Sequence, residues 1–492
     1  MAKSRIVARG RERELLESTL ESRRPELLTL YGRRRVGKTY LIRSVVQPAA
    51  GTYLEITGEK GGTTRLQLRR FRQAIEAAWD LAVPLPDFKS WDDALSYLCD
   101  LVQARAKQQP NKTIALFFDE LPWLATPRAR LLESIDHAWN TRLSRLPQLK
   151  LILCGSAASW MLRRIVHAKG GLHNRLTRQL RLEAFTLSEA LEYLRARRLR
   201  FSEREALELY MSLGGVPYYL DLIERGQSAT EAIGRLCFER GGALRNEFRN
   251  VFESLFEHHE EHQRIVRTLA RRRRGLTRNE LLSALGASSG GGINRRLQEL
   301  EEAGFVARVE PYDKKVKQAL FRLIDEYTLF HLKWVESSPR GVLARGGAAY
   351  WQGRAQTPAY TAWAGYAFEG VCLKHAQELA RALGISSLVT ALGSWTCLAP
   401  KGKPEREGAQ VDLLFERADG VINLCEIKFS RDPFVITKDY ARTLKDKLRI
   451  FEQQTKTRKR VLLTLVAPHG LRKNSWSEDL VDRVLDARAL LG

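Results

Sequence analysis

The chain has few cysteines, and none of the six sits in a C-x-x-C pair. Cys99, Cys154, Cys237, Cys372, Cys397 and Cys425 are scattered, which argues against a zinc ribbon or a disulfide framework and fits a reducing, cytoplasmic setting. Long apolar runs are missing too. Stretches such as Thr113 to Phe118 fall far short of the ~20 residues a membrane-spanning helix needs, so no membrane partner is expected. Met1-Ala2-Lys3-Ser4-Arg5 runs straight into charged sequence, and no signal peptide is expected. Acidic residues are in short supply, 57 Asp and Glu against 81 Lys and Arg, a net charge of +24. That excess favours a polyanionic partner, either nucleic acid or an acidic membrane surface, and DNA is the one expected here. At 492 residues and 44% hydrophobic content, the length suggests two to four ordinary globular domains.

Against these absences stands Gly32-Arg33-Arg34-Arg35-Val36-Gly37-Lys38-Thr39, which fits G-x-x-x-x-G-K-[ST]. Leu27 to Tyr31 reads as a buried strand entering the loop, and Thr39 to Arg43 opens a helix leaving it. Glycines let the backbone approach phosphates, Lys38 reaches the β- and γ-phosphates, and the Thr39 hydroxyl belongs on Mg²⁺. ATP or GTP is expected. A second apolar strand, Thr113 to Phe118, runs into Asp119-Glu120, placing Asp119 near the ion and Glu120 at the attacking water. A third, Leu149 to Cys154, ends in Gly155-Ser156. Ligands sit outside the carboxyl ends of such strands, so Ser156 is expected beside the γ-phosphate.

Four motifs in order, Arg9-Gly10-Arg11-Glu12-Arg13-Glu14-Leu15, GRRRVGKT, Phe118-Asp119-Glu120-Leu121-Pro122-Trp123-Leu124 and Gly214-Gly215-Val216-Pro217-Tyr218-Tyr219-Leu220, resemble the archaeal-type ATPases of the AAA+/STAND branch of P-loop proteins. The resemblance covers nearly the whole chain. It implies an ATP-hydrolysing, RecA-like parallel-sheet core at 1–190 and a helical lid at 191–255, whose GGVP turn brings Pro217 to the nucleotide. It also implies an arginine finger acting in trans, hence a homo-oligomer. Arg175 occupies the finger's place in Gly171-Leu172-His173-Asn174-Arg175, where Pro-Leu-Tyr-Gly-Arg is usual, and Arg178 is the substitute. Ser156 is followed by Ala157 instead of a second serine.

From residue 256 to 335 the pattern predicts a winged helix-turn-helix. A helix over 257–270 is followed by a capping box at Thr277 and Glu280, then a third helix carrying Ile293, Leu297 and Leu300 on one face. Two short strands, 305–309 and 319–324, flank Pro311-Tyr312-Asp313-Lys314-Lys315. Asn294, Arg295 and Arg296 would face DNA bases or phosphates, with Lys314, Lys315 and Lys317 on the wing. Such modules also serve as protein–protein hinges.

Residues 336–356, rich in Gly, Ser and Ala, read as a linker to a C-terminal domain at 357–492. Its signal is a hairpin, Ala409 to Phe415 and Val421 to Phe429, turned at Ala418-Asp419-Gly420. If Arg417 pairs with Val421, Asp412 falls opposite Glu426 with Lys428 on the same face, a constellation for Mg²⁺ and phosphodiester cleavage. The arrangement resembles the PD-(D/E)xK nucleases, a restriction-endonuclease-like α/β fold. In them both carboxylates bind metal, the lysine steers the nucleophile, and an acid on the opening helix, here Glu369, completes the set. Past the hairpin, Lys438, Tyr440 and Lys445 are candidates for phosphate contacts. The reading is an ATPase controlling a metal-dependent DNA nuclease. Its alternatives are an ATP-gated DNA-binding regulator with an inactive nuclease-like domain, and a signalling switch that binds protein partners.

Overall fold

The computed structural model describes residues 6–492 apart from 82, 168–170, 273, 287–290, 313–318, 340, 342–345 and 398–407. Contacts divide the chain into two units, Met1–Ala184 and Phe185–Gly492. Among the described residues no helix is long and apolar enough to cross a membrane.

The first unit is a five-stranded sheet: β1 (Glu26–Tyr31), β2 (Thr52–Thr57), β3 (Ile114–Asp119), β4 (Leu149–Gly155) and β5 (Arg178–Arg181). Their order is β2-β3-β4-β1-β5, and every pairing is parallel. All residues of β1, β3 and β4 are buried, as strands covered on both faces must be. One face packs Phe71, Trp91, Phe118 and Trp139, and the other packs Leu28, Leu30, Ile42 and Phe117. The strands expected from sequence are these central ones, and β1, β3 and β4 are neighbours. Their carboxyl ends therefore lie side by side.

The second unit begins with helices whose starts are written in sequence. Thr186 with Glu189, Ser202 with Glu205, and Ser228 with Glu231 form capping boxes at the heads of Leu187–Ala196, Glu203–Leu213 and Ala229–Phe238. Residues 185–190, assigned to the first domain from sequence, belong here. The Phe185 carbonyl accepts from Tyr210 Oη at 2.9 Å, and its N–H donates to the Gly215 carbonyl at 2.7 Å.

Three helices follow, His259–Ala270, Arg278–Leu285 and Gly291–Glu302, with the Thr277–Glu280 box in place. They accompany a small antiparallel sheet of β6 (Leu276–Thr277), β7 (Val306–Val309) and β8 (Leu320–Leu323), in the order β6-β8-β7.

The linker expectation fails over its second half. Gly347–Arg354 is a helix, and Trp351 within it is 1% exposed, stacked on Phe238 at 5.0 Å and edge-on to Phe330. Small residues there permit close packing: a Cβ on Gly347 would meet the Phe238 carbonyl oxygen at 2.0 Å.

The last sheet holds β9 (Val389–Cys397), β10 (Ala409–Arg417), β11 (Val421–Ile427), β12 (Arg460–Val466) and β13 (Arg483–Leu485), ordered β13-β12-β11-β10-β9. β9, β10 and β11 run antiparallel, while β11, β12 and β13 are parallel. The hairpin register is the expected one, Leu413↔Cys425 through Glu416↔Ile422, with Gly420 at φ 80° closing the turn. The next pair outward would be Asp412 and Glu426. Helix Lys438–Thr455 supplies Leu444, Ile450 and Phe451 to the core of this sheet.

Candidate nucleotide site and acid cluster

The loop between β1 and helix Lys38–Ala49 follows the bonding its sequence implies. Gly37 sits at φ 93°, where L residues are strained, and a Cβ there would have no atom within 4 Å. The loop backbone thus borders open space of the kind a phosphate requires. Gly32 is fixed from the other side, since a Cβ would meet the Leu182 carbonyl oxygen at 2.1 Å. Arg33 and Val36 are buried, whereas Arg34 and Arg35 are half-buried.

The Lys38 ammonium is buried and donates to the carbonyls of Gly32 (2.9 Å) and Arg33 (3.0 Å) and to Ser156 Oγ (3.0 Å). Ser156 Oγ in turn donates to Glu120 Oε1 at 2.5 Å, and the Ser156 N–H to Glu120 Oε2 at 3.2 Å. Thr39 Oγ1 donates to Asp119 Oδ2 at 2.6 Å. Five residues named from sequence, Lys38, Thr39, Asp119, Glu120 and Ser156, are therefore joined through side-chain bonds at the ends of β1, β3 and β4. The hydroxyl and carboxylate of Thr39 and Asp119 are the hard oxygen donors that Mg²⁺ prefers, so the residues fit both nucleotide and ion. Glu120 adopts φ 47°, a left-handed conformation uncommon for this residue type at the turn out of β3.

Sequence reasoning gave Arg9 no role. Only 6% exposed, it donates to the Val36 carbonyl at 3.3 Å and the Glu183 carbonyl at 2.6 Å, bracing the loop from outside. The Arg9-Gly10-Arg11-Glu12 motif was its signal. Arg175 ends a short 3₁₀ turn, Gly171–Arg175, and is exposed; Arg178 on β5 is exposed and lies 4.0 Å from Glu26. Pro217 belongs to the second unit, where it opens helix Pro217–Asp221.

In the second unit, the candidate DNA residues are engaged. Asn294 Oδ1 accepts from Arg278 at 2.5 Å, Arg295 pairs with Glu299 at 2.9 Å, and Arg296 pairs with Glu261. Arg295 is well exposed, Arg296 only half so. Lys314, Lys315 and Lys317 lie outside the described residues.

The acid cluster draws on more of the chain than its motif suggested. Glu369 comes from helix Pro358–Lys374, Asp412 from β10 and Glu426 from β11, and Lys428 follows β11. The β9–β10 register shifts between Val411 and Leu414, across Asp412 and Leu413, and such bulges re-aim side chains. Lys428 Nζ contacts Glu426 Oε1 at 3.0 Å, Tyr440 Oη donates to the same oxygen at 2.5 Å, and Lys447 pairs with Oε2. Tyr440 thus faces the cluster. Lys447 was missed, although it lies two helical turns from Tyr440 and on the same face. Gln410 donates to Asp412 Oδ1 at 3.0 Å. Arg322 of β8 contacts Glu369 Oε2 at 3.1 Å.

Burial, then the Asp412 charge, pushes Glu369 up to about 7 despite Arg322. Burial, then Glu426, likewise raises Asp412. Burial opposes ionisation of Glu426 as well, but Lys447 and Lys428 outweigh it and hold that carboxyl below the usual range. Burial works against the charged form of Lys428, and Glu426 reverses the balance and raises it. As arranged, these residues do not fit a divalent cation. Both Glu426 oxygens are taken by the protein's own donors, and among the described residues no group of three His, Cys, Asp or Glu side chains is placed to hold a metal ion.

Residues 7–223 match the family model described as an ATPase domain predominantly from Archaea. An uncharacterized protein of Methanocaldococcus jannaschii is 24% identical over 220 residues; the match spans 44% of this chain and 44% of that relative's length. Among solved structures, the Walker-type ATPase PABY2304 of Pyrococcus abyssi aligns with a TM-score of 0.47 at 19% identity, over 67% of this chain and 96% of that one. The ORC2 protein of Aeropyrum pernix, in ADPNP and ADP complexes, aligns with a TM-score of 0.42 at 16% identity, over 72% and 97%. Residues 7–223, which hold the Gly32–Thr39 loop and the strand ends carrying Asp119, Glu120 and Ser156, are thus similar to an archaeal-type ATPase domain.

Proposed function

We propose that this protein binds and hydrolyses ATP and uses the cycle to control a DNA-acting second unit. The observation that carries the ATPase half is the chain of bonds Lys38–Ser156–Glu120 beside the Thr39–Asp119 pair. An arriving γ-phosphate competes for the Lys38 ammonium and the Ser156 hydroxyl, because anionic oxygens are stronger acceptors than carbonyls. Losing the Ser156 proton donor frees Glu120 to orient a water and take its proton. Thr39 and Asp119 would hold Mg²⁺, which would supply neutralisation of the phosphate charge. Pro217 is assigned to the nucleotide base. Exposed Arg175 is assigned to a neighbouring subunit's γ-phosphate, which makes a homo-oligomer the working form.

Glu120→Gln tests the mechanism. Hydrolysis should fall by about 10²–10⁴-fold while ATP still binds. Turnover at the wild-type rate would overturn the assignment of the base.

For the second unit, Asp412, Glu426 and Lys428 on one hairpin, with Glu369 behind them, favour a nuclease-like domain of the PD-(D/E)xK type. The third helix, with exposed Asn294 and Arg295, is assigned to DNA under the pull of the overall positive charge. A second reading, a regulator that binds DNA without cutting it, is favoured by one observation: the engagement of both Glu426 oxygens by Tyr440, Lys428 and Lys447. Cleavage of single- and double-stranded DNA with Mg²⁺ or Mn²⁺, by wild type beside Asp412→Ala and Glu426→Ala, separates the two.

A further inference from the structure

Glu120 is held in a backbone conformation that its own side chain disfavours, with φ and ψ both at 47°. Glycine or asparagine is the usual occupant of that region, because a longer side chain meets a steric cost there. Glu120 also opens the four-residue helix Leu121–Leu124, and its carbonyl accepts from the Trp123 N–H at 2.9 Å. So short a helix has too few internal bonds to fix its own entry, and its last carbonyls lack helical partners. The conformation therefore persists through contacts made from outside the turn.

One stretch of chain, residues 58–67, supplies them. Leaving β2, the Gly58 N–H donates to the Asp119 carbonyl at 2.9 Å. Gly58 lies so close that a Cβ would meet the Glu120 carbonyl oxygen at 2.5 Å and the Leu124 nitrogen at 2.9 Å. Gln67, fully buried on helix Thr64–Trp79, reaches both segments. Its Oε1 accepts from the Glu59 N–H at 3.3 Å. Its Nε2 donates to the Glu59 carbonyl at 2.9 Å and to the Trp123 carbonyl at 3.3 Å. Gly62 leaves room for that amide, since a Cβ there would meet Nε2 at 2.6 Å. Beyond the turn, the Thr64 and Thr126 hydroxyls lie 2.7 Å apart and share a hydrogen bond. The loop after β2 is thus tied to the turn after β3 by a side chain that carries no charge.

We propose that Gln67 is a positioning residue for ATP hydrolysis, holding the turn out of β3 so that the Glu120 carboxylate stays beside Ser156. The inference rests on reading Glu120 as the base that activates water. A Glu120 relaxed out of the left-handed region re-aims its Cα–Cβ bond, and the carboxylate leaves the Ser156 N–H and hydroxyl. A displacement of about 1 Å at a reacting group costs about 100-fold in rate. All three bonds of the Gln67 amide go to main chain, so its effect on the chemistry runs through Glu120, while ATP affinity is set by the Gly32–Thr39 loop.

The test is a double-mutant cycle on the full chain, with ATP turnover followed beside the affinity for adenylyl-imidodiphosphate, a non-hydrolysable ATP analogue. Gln67→Met, close to isosteric, should lower kcat by about 10- to 100-fold and leave analogue affinity unchanged. In a Glu120→Gln background the same substitution should cause no further loss, because both act through one carboxylate. If Gln67→Met fails to fold, Thr64→Val takes its place. Deleting that hydroxyl pair should lower kcat by about threefold, and the loss should vanish in the Glu120→Gln background. Wild-type turnover, weakened analogue binding, or an equal further loss on top of Glu120→Gln overturns the positioning role and leaves Gln67 a packing residue. Turnover of Glu120→Gln at the wild-type rate overturns instead the assignment of the base beneath it.

Discussion

The two charged centres of this molecule are built in opposite ways. In the first unit, cation and acids sit at the ends of neighbouring parallel strands, and the Lys38 ammonium is held mainly by backbone carbonyls of its own loop. In the second, three acids and three cations come from β8, two helices and a hairpin, and each charge is held by another side chain. Backbone carbonyls are weaker acceptors than a phosphate, so the first arrangement yields readily to a ligand. A carboxylate pinned by two lysines and a tyrosine does not. The cation of the first centre rests on acceptors that an anion can displace, whereas the acids of the second are paired with cations of the protein itself.

The contrast can be tested in descending order of effect. Trp351→Ala should destabilise the second unit by about 3–5 kcal/mol, the cost of removing a buried indole, and leave ATP binding unchanged. An unaltered denaturation midpoint would return residues 347–354 to the status of a linker. Two buried histidines of the second unit should each oppose folding in acid. Burial lowers both His331 and His375 to about 4, so in the folded state they stay neutral through the range where unfolded histidines, near 6.5, take up protons. The unfolded state then binds more protons, and stability falls as pH drops from 6.5 towards 4, by about 2 kcal/mol per histidine at pH 5. Glu369, raised to about 7, and Asp412, also raised, take up protons on folding and act in the opposite sense. The check is therefore a comparison of urea midpoints between pH 7 and pH 5 for wild type, His331→Gln and His375→Gln, and slopes that do not differ among the three would contradict the assignment. Lys38→Ala should weaken ATP binding by about 100-fold, the worth of two charge-assisted bonds, without shifting that acid profile. The smallest effect is expected for Arg295→Ala with Arg296→Ala. Because both arginines are paired with glutamates, the slope of log affinity for DNA against log salt should change by less than about 2. A larger change would mean that the pairs open on DNA.

The nucleotide centre was legible because its parts are short, contiguous words. GRRRVGKT specifies a turn and the helix beginning after it, and an apolar strand ending in Asp119-Glu120 specifies which end of the sheet faces the ligand. Hairpin register was legible for the same reason, since the loop Ala418-Asp419-Gly420 determines which residues pair. Arg322 and Lys447 were not legible. Their contacts to Glu369 and Glu426 span 47 and 21 residues, and no local pattern distinguishes these two basic side chains from the others in a chain with 81. The supposed linker misled for a related reason. Gly, Ser and Ala predict a loose chain when taken as composition, but small residues beside Tyr350 and Trp351 also allow a helix to press closely against an aromatic surface.

That short helix has a consequence for how the protein comes apart. Trp351 touches Phe238 of the lid region, Phe330 and Trp334 of the segment after β8, and Tyr360 of the helix that carries Glu369. A single indole therefore belongs to three stretches that sequence would divide into separate domains. Loss of any one exposes the aromatic surface that the other two need. Calorimetry of the second unit should accordingly record one cooperative transition, with no stage at which the C-terminal sheet melts alone.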